Sequence, residues 1–211
     1  MCDEVVGKIN CWIKQNHLEN NTILIFTSDN GCSPRADYPE LAQYGHCPSY
    51  IFRGTKFDIF EGGHRVPLIV KWKGEIRAGS SCKKMTSLMD LYATLGEVLG
   101  KSPKAGEAPD SISAYPLWKG AENYGRKYMV LHSVNGSFSV RNDDWKLIMC
   151  PDSGGKSDPV PGDVPSHFPL KQLYSMKDDV RERRNRIEEY PDIAGELENV
   201  LRSCIAGDAV C

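Results

Sequence analysis

The stretch Thr22-Ile-Leu-Ile-Phe-Thr-Ser-Asp-Asn-Gly31 limits what this chain can fold into more than any other. Its first six residues are a short apolar run, rich in β-branched side chains and without polar alternation. Such a run reads as a strand buried on both faces, as in a parallel sheet. It ends abruptly in Ser28-Asp29-Asn30-Gly31. The carboxyl end of a buried strand is where α/β folds bind ligands. Asp29 offers carboxylate oxygens and Asn30 an amide carbonyl, both hard donors suited to Ca²⁺ or Mg²⁺. Gly31 permits a sharp turn or a close backbone approach. The same residues are also ordinary turn formers, and taken alone they do not displace a plain turn.

A chain of 211 residues holds one sizeable core, or one core plus a small appended subdomain. Hydrophobic residues make up 40% and charged residues 26%, a globular composition. The net charge of −2 gives no electrostatic case for nucleic acid or an anionic membrane. No apolar run approaches the length of a membrane span. The first ten residues lack a basic region followed by an apolar one, so they do not read as a signal peptide. The eight cysteines form no C-x-x-C pair, which argues against a zinc ribbon or a redox dithiol, and their scatter suits a reducing compartment slightly better.

Taken in order, residues 3–15 should form a helix whose apolar face holds Val5, Val6, Ile9, Trp12 and Ile13. A helix feeding a buried strand is half of a βαβ unit, and that strand needs parallel neighbours. Few candidates for them exist downstream. Residues 32–50 read as a polar loop. In residues 51–63 glycines flank Lys56, a compact cation suited to phosphate or sulfate oxygens unless it is simply a solvated surface lysine. Residues 68–72 are a second apolar strand. A helix over 83–99 carries a stripe of Met85, Leu88, Met89, Tyr92, Leu95 and Leu99, ended by Gly100. Composition shifts over 101–115, which marks the passage from a first domain, 1–115, to a smaller second one, 116–211. There, residues 128–134 and 137–141 are strands joined at Asn135-Gly136, and 145–149 extends them into an antiparallel meander. Residues 173–176 offer a fourth strand, and Pro191 starts a final helix with Ile193, Leu197, Val200 and Leu201 on its buried face.

Several features have plain explanations. The sequons at Asn20 and Asn135 lie at turns. The run Arg181-Glu-Arg-Arg-Asn-Arg186 is interrupted by Glu182 and reads as a solvated face before a helix. His46 beside Cys47 reads as an ordinary loop. His64 and His132 lie near strand ends, where a crevice would form.

The motifs gain force as an ordered set. Thr-Ser-Asp-Asn-Gly (27–31), Arg-Gly-Thr-Lys (53–56) and Glu-Gly-Gly-His-Arg-Val-Pro (61–67) closely resemble the central signature of the formylglycine-dependent sulfatases. The helix at 88–95, the strand pair around Arg141 and Trp145, and Gln172-Leu-Tyr-Ser-Met followed by Asp179-x-x-Glu182-x-x-Asn185 are similar to that family's later segments. The resemblance implies an α/β chain, the C-terminal part of an alkaline-phosphatase-like fold, with a small antiparallel-sheet plus helix subdomain. It implies hydrolysis of a sulfate ester. Asp29 and Asn30 match two ligands of a Ca²⁺ ion, and Lys56 matches the lysine that holds the sulfate group. His132 is carried as a substrate-binding candidate from the second subdomain.

The resemblance also implies what lies elsewhere. The formylglycine arises from a Cys or Ser in C/S-x-P-x-R. Cys32-Ser-Pro-Arg35 has its arginine one residue early, and Cys47-Pro-Ser-Tyr fails outright, so no residue here fits the nucleophile. The first acidic metal-ligand pair, a second lysine and the site histidines belong before position 1. The chain thus corresponds to the C-terminal half or so of a sulfatase, inactive and sticky alone and completed by an N-terminal half. Full-length relatives are usually exported. The rival readings are a phosphodiesterase or phosphonate hydrolase of the same superfamily, and a non-catalytic split-gene product.

Overall fold

A computed structural model describes residues 1–104 and 106–207. Helix α1 spans Cys2–Gln15, with Asp3 and Glu4 in its first turn and Lys14 in its last, charges that complement the helix dipole. Strand β1 (Ile23–Thr27) follows, then two short helices, α2 (Tyr38–Gln43) and α3 (Glu61–His64). The stretch expected to be all loop thus contains α2, capped where the Asp37 carboxylate accepts the Glu40 N–H at 3.0 Å. Strand β2 (Leu68–Trp72), helix α4 (Asp90–Val98) and helix α5 (Tyr115–Trp118) come next. Four strands close the chain, β3 (Met129–His132), β4 (Phe138–Arg141), β5 (Trp145–Ile148) and β6 (Gln172–Ser175), ahead of helix α6 (Pro191–Ala206). The described residues form two compact units, 1–28 with 67–125 and 29–66 with 126–211.

In the first unit β1 pairs with β2 in antiparallel register, Ile23 opposite Trp72 through Thr27 opposite Leu68. This corrects the expectation of parallel neighbours and of a strand buried on both faces. Among the described residues β1 has this one partner, and each of its residues is half-buried. An apolar run signals burial but cannot say which strand lies beside it. Helix α4 is also shorter than the expected 83–99. The helix starts only at Asp90, whose carboxylate accepts the Ser87 N–H at 2.8 Å. Its inward face is Asp90, Ala93 and Thr94, while Met89, Tyr92, Leu95 and Leu99 are exposed, the reverse of the expected stripe. Polar groups hold the inward face. The Thr94 hydroxyl donates to the Asp90 carbonyl at 2.6 Å and accepts the Ala114 N–H at 2.7 Å. On α1, Ile13 is buried while Val5, Ile9 and Trp12 are exposed.

In the second unit the strand order is β3-β4-β5-β6, antiparallel throughout. Side chains alternate between its faces. Val140, Leu147 and Leu173 pack against Ala194, Leu197 and Leu201 of α6. Ile148 and Tyr174, on the other face, meet Ile59 and Phe60 from the turn that carries Lys56. The expected hairpin is present with shorter strands. Asn135 builds its loop, its side-chain oxygen accepting from the Ser133 hydroxyl at 2.7 Å and the Ser137 N–H at 3.0 Å, and Gly136 takes a φ of +84°. The reading of 181–186 as wholly solvated is overturned at Glu182, which is completely buried. Six described cysteines are free, but Cys204 is disulfide-bonded, so the scatter of thiols misled on that point. Cys211 lies outside the described residues. No described helix is long and apolar enough to cross a membrane.

Candidate active site

Asp29, Asn30, Lys56 and His132 all fall in the second unit. Two backbone hydrogen bonds join the segment after β1 to the Lys56 turn. The Lys56 N–H donates to the Cys32 carbonyl at 2.8 Å, and the Gly31 N–H donates to the Gly63 carbonyl at 2.9 Å. Only glycine fits at these crossings. A Cβ on Gly31 would sit 1.8 Å from the Gly62 carbonyl oxygen, and one on Gly62 would sit 2.2 Å from that of Gly54. The spaced glycines of the two motifs therefore exist so that three stretches of main chain can touch. Asp29 is exposed and Asn30 half-buried, its amide nitrogen fixed by donating to the Gly31 carbonyl at 3.1 Å. Lys56 is half-buried, its ammonium 5.5 Å from the Phe57 ring centre.

Two buried carboxylates hold this turn. Asp58 lies two residues past Lys56 and is fully buried. It accepts the N–H groups of Thr55, Lys156 and Ser157 at 2.7, 2.6 and 3.1 Å, and the Ser157 hydroxyl at 2.5 Å. The loop Ser153-Gly154-Gly155-Lys156-Ser157 thus wraps its N–H groups around an internal anion. Glu61, at the start of α3, meets Lys146 at 3.2 Å, Arg141 at 2.6 Å and Arg65 at 3.1 Å. Burial alone would raise its carboxyl, but those cations hold it down at about 2. Glu182 shares Lys146 at 2.8 Å and accepts the Glu61 N–H at 2.7 Å. Burial pushes the Glu182 carboxyl up, with Glu61 adding to it against the pull of Lys146. Arg53 spans the turn from below, donating to the Glu182 carbonyl at 2.9 Å and stacking over Phe60 at 3.8 Å.

His64 ends α3. Burial and the charge of Lys146 lower its imidazole to about 4, so it is neutral at pH 7, and its Nε2 is buried without a hydrogen-bond partner. His132 is exposed at the end of β3, its Nδ1 3.0 Å from the Ser133 carbonyl and its ring edge-on to Phe138 at 6.3 Å. Among the described residues no group of three or more His, Cys, Asp or Glu stands together as a metal site. Asp29 and Asn30 suit a hard cation by chemistry, but two donors fall short of the roughly six to eight oxygens that Ca²⁺ takes. Sequence reasoning singled out Lys56 and did not name the buried groups that hold its turn, Asp58, Glu61, Lys146 and Glu182. The spacing Lys-x-Asp-x-x-Glu was visible, and Glu182 belonged to a quoted motif, but Glu61 meets Arg141, Lys146 and Glu182 across 80, 85 and 121 residues.

The structure is that of an alkaline-phosphatase-like fold: a solved structure from work on the metabolism of multiple glycosaminoglycans by Bacteroides thetaiotaomicron superposes with a TM-score of 0.81 at 29% identity, over 96% of this chain and 42% of that one. The family model described as Sulfatase matches residues 1–101. An N-acetylgalactosamine-6-O-sulfatase of Bacteroides thetaiotaomicron is 30% identical over 95% of this chain and 40% of its own length. A steryl-sulfatase of Rattus norvegicus is 30% identical over 65% of this chain and 24% of its own length. The chain belongs to the sulfatase family. It spans less than half the length of these relatives, which fits the C-terminal portion of the fold.

Proposed function

We propose that this chain carries part of the metal and sulfate site of a sulfuric ester hydrolase. The observation that supports this most is the pair of backbone bonds tying the Asp29-Asn30 segment to the Lys56 turn, from Lys56 to Cys32 and from Gly31 to Gly63. In this reading Lys56 binds a sulfate oxygen as a point charge, and it is more effective for being fixed beforehand by Asp58 and Glu61. Asp29 and Asn30 supply two ligands to Ca²⁺ or another hard divalent cation. When bound, that ion adds positive charge where the transferring group develops negative charge. His132 lies on the substrate side as a weaker contact. The formylglycine nucleophile and the remaining ligands come from an N-terminal sulfatase portion, without which the chain is inactive. The exposed apolar faces of α1 and α4 favour such a partner, since patches of that kind mark surfaces that another body covers.

The test is complementation. The chain is co-expressed with an N-terminal sulfatase portion bearing C-x-P-x-R, and hydrolysis of an aryl sulfate and an aryl phosphodiester is followed. Sulfate turnover is expected only in the complex, with Lys56→Ala lowering kcat by roughly 10²–10³. A well-folded complex that turns over neither ester contradicts the proposal, and preference for the phosphate ester favours the phosphodiesterase alternative.

A further inference from the structure

The loop between the Asp29-Asn30 motif and the Lys56 turn carries two thiols, Cys32 and Cys47, that the sulfate reading does not use. Both ends of this loop are pinned to the same turn. The Cys32 carbonyl accepts the Lys56 N–H at 2.8 Å, and the Ser49 hydroxyl donates to the Gly54 carbonyl at 2.9 Å. The chain therefore leaves the turn at Cys32 and returns to it just past Cys47. The Cys47 thiol is held there by donating to the Tyr50 carbonyl at 2.7 Å.

Tyr38, at the start of α2, marks where the two thiols meet. Its hydroxyl lies 3.2 Å from that of Ser49. Burial pushes the Tyr38 phenol up to about 12 against the pull of Ser49. The thiols of Cys32 and Cys47 both add to the rise, Cys32 through a hydrogen bond and Cys47 through its charge. One hydroxyl thus has both sulfurs as neighbours. Cys32 is half-buried, Cys47 is exposed, and both are free thiols. The other free thiols differ. Cys2, Cys11 and Cys82 belong to the first unit, and Cys150 is buried, which pushes its thiol up.

We propose that Cys32 and Cys47 are a site of reversible oxidation, closing to a disulfide at the expense of a small-molecule disulfide such as oxidised glutathione. The pair is placed by bonds to the Lys56 turn whether or not Lys56 binds sulfate. Cys47, the more exposed, attacks one sulfur of the oxidant as a thiolate, and one glutathione thiolate leaves. The Cys32 thiolate then attacks the Cys47 sulfur of the mixed disulfide. The Cys32–Cys47 bond forms and the second glutathione leaves. Two electrons pass from the cysteines to the oxidant, and the two thiol protons end on the two glutathiones. The bridge closes the loop that contains α2. It stabilises the fold chiefly by restricting the unfolded chain. The loop beside the Lys56 turn is thereby locked when oxidised and free to open when reduced.

The 211-residue chain is equilibrated in glutathione redox buffers, both folded and in concentrated urea. It is then trapped with acid and an alkylating agent and mapped by mass spectrometry of unreduced peptides, which reads the disulfide at Cys204 separately. The Cys32 peptide is expected joined to the Cys47 peptide, with Cys150 still a thiol. The effective concentration of the pair should be at least about tenfold higher in the folded chain than in urea, so oxidation should raise Tm. In Cys47→Ser, which keeps a donor for the Tyr50 carbonyl, Cys32 should reach only the mixed glutathione disulfide, and Tm should not rise. A bridge that forms no better folded than in urea overturns the proposal. So does Cys32 joined to another cysteine, or Cys32 and Cys47 each ending as a thiol or a separate mixed disulfide.

Discussion

Asp58 and Glu61 sit two and five residues past Lys56, and neither touches solvent. Each is a buried anion whose partners are supplied by the last third of the chain, Asp58 by Lys156 and Ser157, Glu61 by Arg141 and Lys146. Breaking one side of such a site leaves desolvated groups without partners. Asp58→Ala strands the N–H groups of Thr55, Lys156 and Ser157, so urea unfolding should report a loss of about 3–5 kcal/mol. His64 sets a pH window. Its folded imidazole titrates near 4 against 6.5 when unfolded, so the unfolded chain binds the proton first as pH falls. Stability should therefore drop by about 3 kcal/mol between pH 6.5 and 4, then level off for this group. The loss should be absent in His64→Asn, as read by urea midpoints across that range. Glu61, held near 2, contributes in a lower window and loses its stabilisation only between about pH 4.5 and 2.

Among elements, the four-stranded sheet is the frame on which the site is mounted, with α6 on one face and the Lys56 turn on the other. Leu197 lies at the centre of the α6 contact, so Leu197→Ala should destabilise by about 2–5 kcal/mol in thermal or urea unfolding while the turn keeps its local bonds. Elements whose cause is local were legible in the sequence. Helix α1 was placed to within a residue, the Asn135-Gly136 hairpin was identified, and α6 begins at its Pro191 signal. Elements decided by distant neighbours were not. The direction of the β1 partner depended on a strand some forty residues away, and the outward face of α4 on what the unit leaves uncovered. The candidate site divided the same way. Asp29, Asn30 and Lys56 stood in short motifs, whereas the cradle around Asp58 joins residues 98 positions apart and leaves no local pattern.

At the scale of the whole molecule, the chain is a family member that spans about 40% of the length of its relative from Bacteroides thetaiotaomicron. It offers Lys56 on a turn bonded through the main chain to the segment that follows Asp29 and Asn30, and exposed apolar side chains on α1 and α4. In the proposed reading, one tetrahedral anion sits where the Asp29-Asn30 segment and the Lys56 turn are bonded together. Anomalous diffraction from crystals of the chain grown with Ca²⁺ and selenate tests this directly. The expected map holds selenium within hydrogen-bonding reach of Lys56 Nζ, with a cation bound by Asp29 and Asn30 that shares an oxygen of the same anion. Selenium bound elsewhere, with Lys56 contacting only solvent, would contradict the assignment.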